Sequence, residues 1–316
     1  MARKCAMPPL HIPAKTEINM TETTANPSAG WRMKVAAFAL AVSIFTALWF
    51  VVAALGTKFG LWPWQVGLSQ MTLTIGLPLA FGATVLGFLA QGIALLKFPR
   101  KHAFIVALAA FLIGLACFGR LYVGFIAQAL SLPPIHDVQT DWTEPVTFTD
   151  AILSARAADD ASNAIEIAPI IPMGANTRWQ GMGGRLVAEV QEEAESKEAG
   201  KGTVYPKLEP LYFATSPTEV AALAETLIAK KGWDLITPAP SGGDTGTEIL
   251  LEATVTTGWF GFKDDIAVRI RPVEGATRVD MRSISRVGLS DLGLNSRRVS
   301  GFMYELGDKG NGRAAP

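Results

Sequence analysis

The constellation of side chains in this sequence that could do chemistry lies within residues 264–291. Asp264 and Asp265 are adjacent carboxylates, and crowding two carboxylates separates their pKa values, as an acid/base pair requires. Arg269, Arg271, Arg282 and Arg286 fall at spacings that project them from the polar face of one β-hairpin. Arginine offers planar, bidentate donors suited to phosphate or carboxylate. Ser290-Asp291 then opens a helix whose free N–H groups can receive an anion. These eight residues are the candidate ligand site, for an anionic ligand, a lipid headgroup or an acidic partner. Catalysis is the weaker reading, because consecutive aspartates in a strand point to opposite faces. A third reading is purely architectural: Glu248, Glu252, Asp280 and the paired aspartates neutralise the arginines in a cross-strand face of ion pairs.

Other chemistry finds no support. His11, His102 and His136 are scattered, and the two cysteines, Cys5 and Cys117, lie far apart in different surroundings. No metal site, disulfide framework or cofactor is expected. The nucleophile-elbow, zinc-protease and phosphate-loop patterns are absent. Gly181-x-Gly183-Gly184 does not complete a dinucleotide fingerprint.

The elements that must position these residues come in two sets. Residues 1–130 carry a net +8 and residues 131–316 a net −8, and the mean hydropathy of the whole is positive. The first set holds three apolar stretches. Val35–Leu55 runs twenty-one residues without a charge, Met71–Leu96 is broken only by Pro78 and Gln91, and Ala103–Gly119 continues past Arg120 towards Leu132. A bilayer core about 30 Å thick needs about 20 helical residues, so each stretch qualifies as a span. Boundaries of about 33–56, 71–96 and 103–130 follow. Arg3, Lys4, Lys15, Arg32 and Lys34 precede the first span, and Lys97, Arg100 and Lys101 fill the second loop, whereas the first loop has only Lys58. The positive-inside rule puts tail and second loop in the cytoplasm and everything after the third span on the other side. Trp62, Trp64 and Tyr122 fit an outer aromatic belt. Arg120 sits near the outer end of its helix, where it can snorkel, and Ala110 with Gly114 forms a small-xxx-small pair for helix packing. The polar tail, 1–31, reads as disordered and without a cleavable signal peptide, with Met20 an alternative start.

Beyond the spans, 131–150 reads as an extended neck, rich in proline. Residues 161–204 are poorly patterned, apart from an acidic, exposed helix at 185–199. Ser216-Pro217-Thr218-Glu219 is a capping box with proline at the first helical position, and Val220, Leu223, Ala224, Leu227 and Ile228 form its apolar stripe. Strands follow at 233–237, 247–259, 266–273 and 276–286, with a turn-rich SGGDTG before the second. A tight turn at Glu274-Gly275 pairs Ile270 with Val279 and Val268 with Met281 on one face, and Arg269 with Asp280 and Ala267 with Arg282 on the other. A last helix runs from about Ser290 to Leu306, capped by Ser290 or Asp291. The expected fold is thus a three-span helical membrane region, 32–132, carrying an extracytoplasmic α+β domain, 133–316, with an antiparallel sheet and two flanking helices.

The stretches WFGFKDDIAVRIRP (259–272) and VDMRSISRVGLSDLGLNSRR (279–298) resemble domain-of-unknown-function family 1499. The neck PPIHDVQTD (133–141) and YPKLEPL (205–211) resemble its opening, and 174–202 departs from it by being longer. The family occurs in bacteria and photosynthetic eukaryotes, often behind membrane spans. The resemblance implies a shared fold and an envelope location and brings no activity. The expected function is a binding or interaction module of the bacterial inner membrane, its C-terminal domain periplasmic, its partners the bilayer, anionic lipids or other envelope proteins, and not nucleic acid. The alternative is a hydrolase-like enzyme using Asp264 or Asp265 with the arginines as electrophilic helpers.

Overall fold

The computed structural model describes residues 30–96, 98, 100–197, 204–240 and 247–314. The expected disordered tail except its last residues, Met20, the last two residues of the acidic helix and the SGGDTG turn lie outside the described residues.

Three long apolar helices open the chain: α1 (Trp31–Lys58), α2 (Gln65–Leu95) and α3 (Lys101–Ser131), each long and apolar enough to cross a membrane. α2 begins six residues before the expected span. Its first part, Gln65–Gly76, winds as a π-helix immediately before Pro78. Proline lacks the N–H that would close the preceding turn, and the Thr72 and Thr74 hydroxyls bond carbonyls five residues back, on Gly67 and Ser69. The bundle is packed through small residues. Ala36, Ala39, Ala83, Gly87, Ala90, Ala107, Ala110 and Gly114 are buried, while Phe38, Leu48, Phe81, Phe88, Ile105 and Leu112 face outward, each more than half exposed. A Cβ added at Gly114 would lie 2.8 Å from the Thr84 backbone nitrogen, and one at Gly87 2.5 Å from that of Phe111. Ala110 and Gly114 do bring two helix backbones together. Ser43 adds a buried hydrogen bond to the Ala110 carbonyl at 2.8 Å, and Arg120 donates to the carbonyl of Gly124.

The remainder is one antiparallel sheet with helices. The strands are β1 (Asp137–Gln139), β2 (Leu211–Phe213), β3 (Asp234–Thr237), β4 (Ile249–Thr256), β5 (Lys263–Val273), β6 (Ala276–Ser285) and β7 (Arg313–Ala314), in the order β3-β4-β5-β6-β2-β7, with β1 pairing β6 alongside β2. The β5–β6 register is the one the apolar and charged patterns predict: Ile270 opposite Val279, Val268 opposite Met281, Arg269 opposite Asp280 and Ala267 opposite Arg282. Gly275, at φ 72°, supplies the turn. Two helices cover one face, α6 (Pro217–Lys230) and α7 (Leu294–Gly310), numbered after α4 (Asp150–Ala158) and α5 (Val187–Lys197). Val220, Ala224, Leu227, Ile228, Val299, Phe302 and Leu306 meet Ile249, Leu251, Ile266, Val268, Ile270 and Met281 there, all fully or almost fully buried. The capping box at Ser216 and Glu219 is complete.

Three local expectations change. The 131–150 stretch is more than a neck: it contributes β1 and then lies, with α4, across the sheet face opposite the helices. The acidic helix is not simply solvated. α5 buries Val187, Val190 and Gln191, and the Gln191 amide accepts from Trp142 Nε1 at 2.9 Å and donates to the Gln139 carbonyl at 2.9 Å. The last helix starts at Leu294 rather than near Ser290, because Leu292 and Gly293 take left-handed φ values of 56° and 72° and reverse the chain first.

Candidate functional site

Strand alternation puts Asp265, Ala267, Arg269 and Arg271 on the same face as Arg278, Asp280, Arg282 and Arg286. Asp264 points the other way, towards α7. The four candidate arginines are therefore brought together with Asp265, while Asp264, Ser290 and Asp291 belong to the helix side. The face that the sequence marks as polar is covered: 137–166 lies over it, and Glu252, Asp265, Asp280 and Arg282 have no measurable exposure.

Burying charge requires pairing, and each charge here has partners. Asp265 is held by two guanidinia, with Arg156 Nη1 at 2.7 Å from Oδ2 and Arg286 Nη2 at 2.7 Å from Oδ1, and it also accepts from the Thr254 hydroxyl at 2.9 Å. Arg286 extends the chain to Asp159, which Lys263 also reaches at 2.6 Å. These cations hold the Asp159 carboxyl below the ordinary aspartate range against the opposing effect of burial. Arg282 forms a bidentate pair with Asp137, Nε to Oδ1 at 2.9 Å and Nη2 to Oδ2 at 2.5 Å, and donates further to the carbonyls of Val146 and Glu166. Asp280 accepts from Arg269 at 3.1 Å and Arg278 at 2.8 Å. Arg271 and Arg278, like charges directly opposite in the register, are separated electrostatically by Glu144, which pairs with both. Glu252 pairs with hydroxyls instead of an arginine: Thr149 and Thr237 donate to it at 2.5 Å each. Glu248 is exposed.

On the helix side Asp264 accepts from Arg298 Nη2 at 2.7 Å. The N–H groups opening α7, expected to be free, already hold a carboxylate: Asp291 accepts from the backbone of Gly293 at 2.8 Å and Asn295 at 2.7 Å. Burial pushes Asp291 up to about 6, helped by the charge of Asp264 and opposed by those two N–H donors and Arg298. The Ser290 hydroxyl donates to the Pro133 carbonyl at 3.2 Å. Each candidate arginine thus has a carboxylate of the chain itself as partner, although the buried Nε groups of Arg269 and Arg271 make no hydrogen bond.

Sequence reasoning missed the partners Asp137, Asp141, Glu144, Arg156, Asp159 and Arg298. A signal existed for three of them, since the 133–145 stretch carries Asp137, Asp141 and Glu144 among its prolines. They take Arg282, Arg278 and Arg271 in turn. The glycine run at 181–184 is a turn clamped by Asn176, whose Oδ1 accepts from Gly183 N at 2.9 Å. Among the described residues, no group of three His, Cys, Asp or Glu side chains is placed to hold a metal ion.

Open space lies elsewhere. A cavity of about 360 Å³ separates 207–211 from α7, beside Met303 and Tyr304. Another, of about 320 Å³, lies where α3 enters the domain, walled by Leu132, Trp179, Met182 and Tyr205 with Arg178 and Lys197 at its edge.

No curated protein matches this chain. Residues 137–306 match the family model described as "Protein of unknown function (DUF1499)", which covers β1 to β6, α6, most of α7 and the buried ion-pair layer. The chain belongs to that family.

Proposed function

We propose that this protein is a membrane-anchored binding module: its three helices cross a bilayer, and the domain of 133–316 stands on the extracytoplasmic side and acts by recognition. The observation that carries the anchor is the inverted packing of the bundle. Alanine and glycine line its inside while phenylalanine and leucine cover its outside, an arrangement that water would oppose and hydrocarbon favours. Direction follows from charge. Arg32 reaches the carbonyls of Ala94 and Phe98 at the end of the bundle that also holds Lys34, Arg100 and Lys101, whereas the end towards the domain carries Lys58 and Arg120. The positive-inside rule then favours a cytoplasmic N-terminus and, in a bacterium, a periplasmic domain of the inner membrane. A reporter active only outside the cytoplasm, fused after Pro316, is expected to be active; an inactive fusion would overturn the orientation.

Recognition is favoured over hydrolysis because Asp265 is paired with buried Arg286 and Asp264 with partly buried Arg298, leaving neither as an open acid or base. For the ligand, the cavity at the root of the domain is the best seat. Its apolar wall begins at the last turn of α3, and Arg178 and Lys197 stand over it, Lys197 paired with Glu193 at 3.7 Å. That combination suits an anionic amphiphile entering from the bilayer surface, a phospholipid headgroup above all. Full-length protein in mixed phosphatidylglycerol and phosphatidylethanolamine nanodiscs should retain phosphatidylglycerol preferentially, and Arg178→Ala with Lys197→Ala should abolish the preference. An unchanged preference in the double variant would remove the cavity from the reading.

A further inference from the structure

The domain touches the helix bundle at a second place besides its covalent link. The β4–β5 loop, 257–262, carries the run Gly-Trp-Phe-Gly-Phe and lies against the turn joining α1 to α2. Lys58 Nζ donates to the Gly258 carbonyl at 2.8 Å. Gly261, at φ 70°, comes so close that an added Cβ would sit 3.0 Å from the Lys58 Cα. Phe262 meets Trp64 edge-to-face, ring centroids 6.4 Å apart, and stacks on Phe260 at 5.5 Å. Three large apolar side chains around this contact remain uncovered: Phe59 is 70% exposed, Leu61 72% and Trp259 64%. They continue the apolar outer surface of the helices onto the domain.

We propose that this patch is a second bilayer contact, in which Trp259 enters the headgroup–acyl boundary beside Phe59 and Leu61 and fixes the orientation of the domain on the membrane. This rests on the reading of the helices as membrane spans. Aromatic rings are favoured at that depth because an apolar body and a polar N–H find both environments together. The lysine that would otherwise snorkel to a phosphate is occupied by the loop carbonyl, so the loop takes the headgroup-level position. The covalent entry lies at the same end of the sheet: β1, six residues after α3, pairs Asp137 with Ile284 near the end of β6. The Glu274-Gly275 turn is at the other end of the eleven-residue β5, roughly 35 Å away along the strand. Two anchors at one end hold the sheet upright, its hairpin turn directed away from the bilayer.

The test uses the full chain with Cys5→Ser and Cys117→Ser, reconstituted in phosphatidylglycerol–phosphatidylethanolamine vesicles. Nitroxide labels are placed singly at Trp259→Cys, Leu61→Cys, Leu48→Cys and Glu274→Cys. Their accessibility to oxygen, which partitions into lipid, is compared with that to a water-soluble nickel chelate. The label at 259 is expected to match that at 61, roughly 5–10 Å below the headgroup surface, with 48 deeper and 274 fully aqueous. If 48 lies in lipid but 259 is as aqueous as 274, the second contact is overturned and the anchor stands. If 48 is itself aqueous, the anchor fails and the inference with it.

Discussion

The guanidinium of Arg282 and the carboxylate of Asp137 form a bidentate pair with both side chains about 1% exposed, and the Trp142 ring lies 5.6 Å from the guanidinium carbon. The pair links the last long strand of the sheet to the first residues after the helix bundle, 145 positions apart in the chain.

Removing one partner leaves the other buried and uncompensated. Asp137→Ala or Arg282→Ala should each destabilise the fold by about 3–5 kcal/mol, whereas Asp137→Leu combined with Arg282→Met should lose much less than the two single changes together. Urea unfolding of the detergent-solubilised full chain measures this. Additive losses in the double variant would show that the two charges are not coupled.

Asp265 and Asp264 should differ, although adjacent. Asp265→Asn takes the carboxylate from two buried arginines, leaving Arg156 without a charged partner and Arg286 with Asp159 alone, and should cost several kcal/mol. Asp264→Asn takes it only from Arg298, which is 11% exposed and keeps Ser283 and Asn295, and should cost roughly 1–3 kcal/mol. Equal unfolding midpoints for the two variants would contradict this assignment of partners.

Asp291 gives a pH dependence with a definite sign. Its folded carboxyl is raised from 3.8 to about 6, so the native state binds the proton more tightly than the unfolded chain. The stability it contributes is complete below about 3.8 and is lost as pH rises through about 6. Asp159 and Asp141 are lowered and act oppositely, losing their stabilisation as pH falls through their folded values. Asp291→Asn keeps one of the two acceptor oxygens that Gly293 and Asn295 use and cannot titrate, so it should remove the decline between those pH values in a series of thermal midpoints. Glu195, raised by burial to about 7 beside Gln191, should produce a decline of the same sign extending to higher pH, removed by Glu195→Gln. If Asp291→Asn leaves the wild-type slope intact, Asp291 does not titrate in that window.

In the bundle, Gly114→Leu drives a side chain into the backbone of α2 at Thr84, while a Cβ added at exposed Gly92 meets nothing within 4 Å, so Gly92→Leu has room. The first should lower stability by roughly 1–3 kcal/mol and the second should be nearly neutral. Thermal midpoints in one detergent compare them, and equal effects would remove the close α2–α3 approach.

Some of this protein was decided by local pattern. Three runs of about twenty apolar residues can only be long helices, and the period-two alternation around Glu274-Gly275 admits one register that pairs both apolar and charged residues. The capping box at Ser216 was legible for the same reason, since its donors and acceptors lie three residues apart. What sequence alone left open was the meaning of the polar face. Arg269, Arg271, Arg282 and Arg286 read equally well as an anion site and as an ion-pair layer, because the acids that settle the matter sit at 137–159, more than a hundred residues earlier. Only the return of that segment across the sheet brings Asp137 to Arg282 and Arg156 with Asp159 to Asp265 and Arg286. Likewise the N–H groups expected to be free for an anion hold the Asp291 carboxylate because Leu292 and Gly293 reverse the chain, and the meeting of Gly258–Phe262 with Lys58 and Trp64 exists only in three dimensions. Charge and period are properties of neighbours along the chain; burial and pairing are properties of neighbours in space.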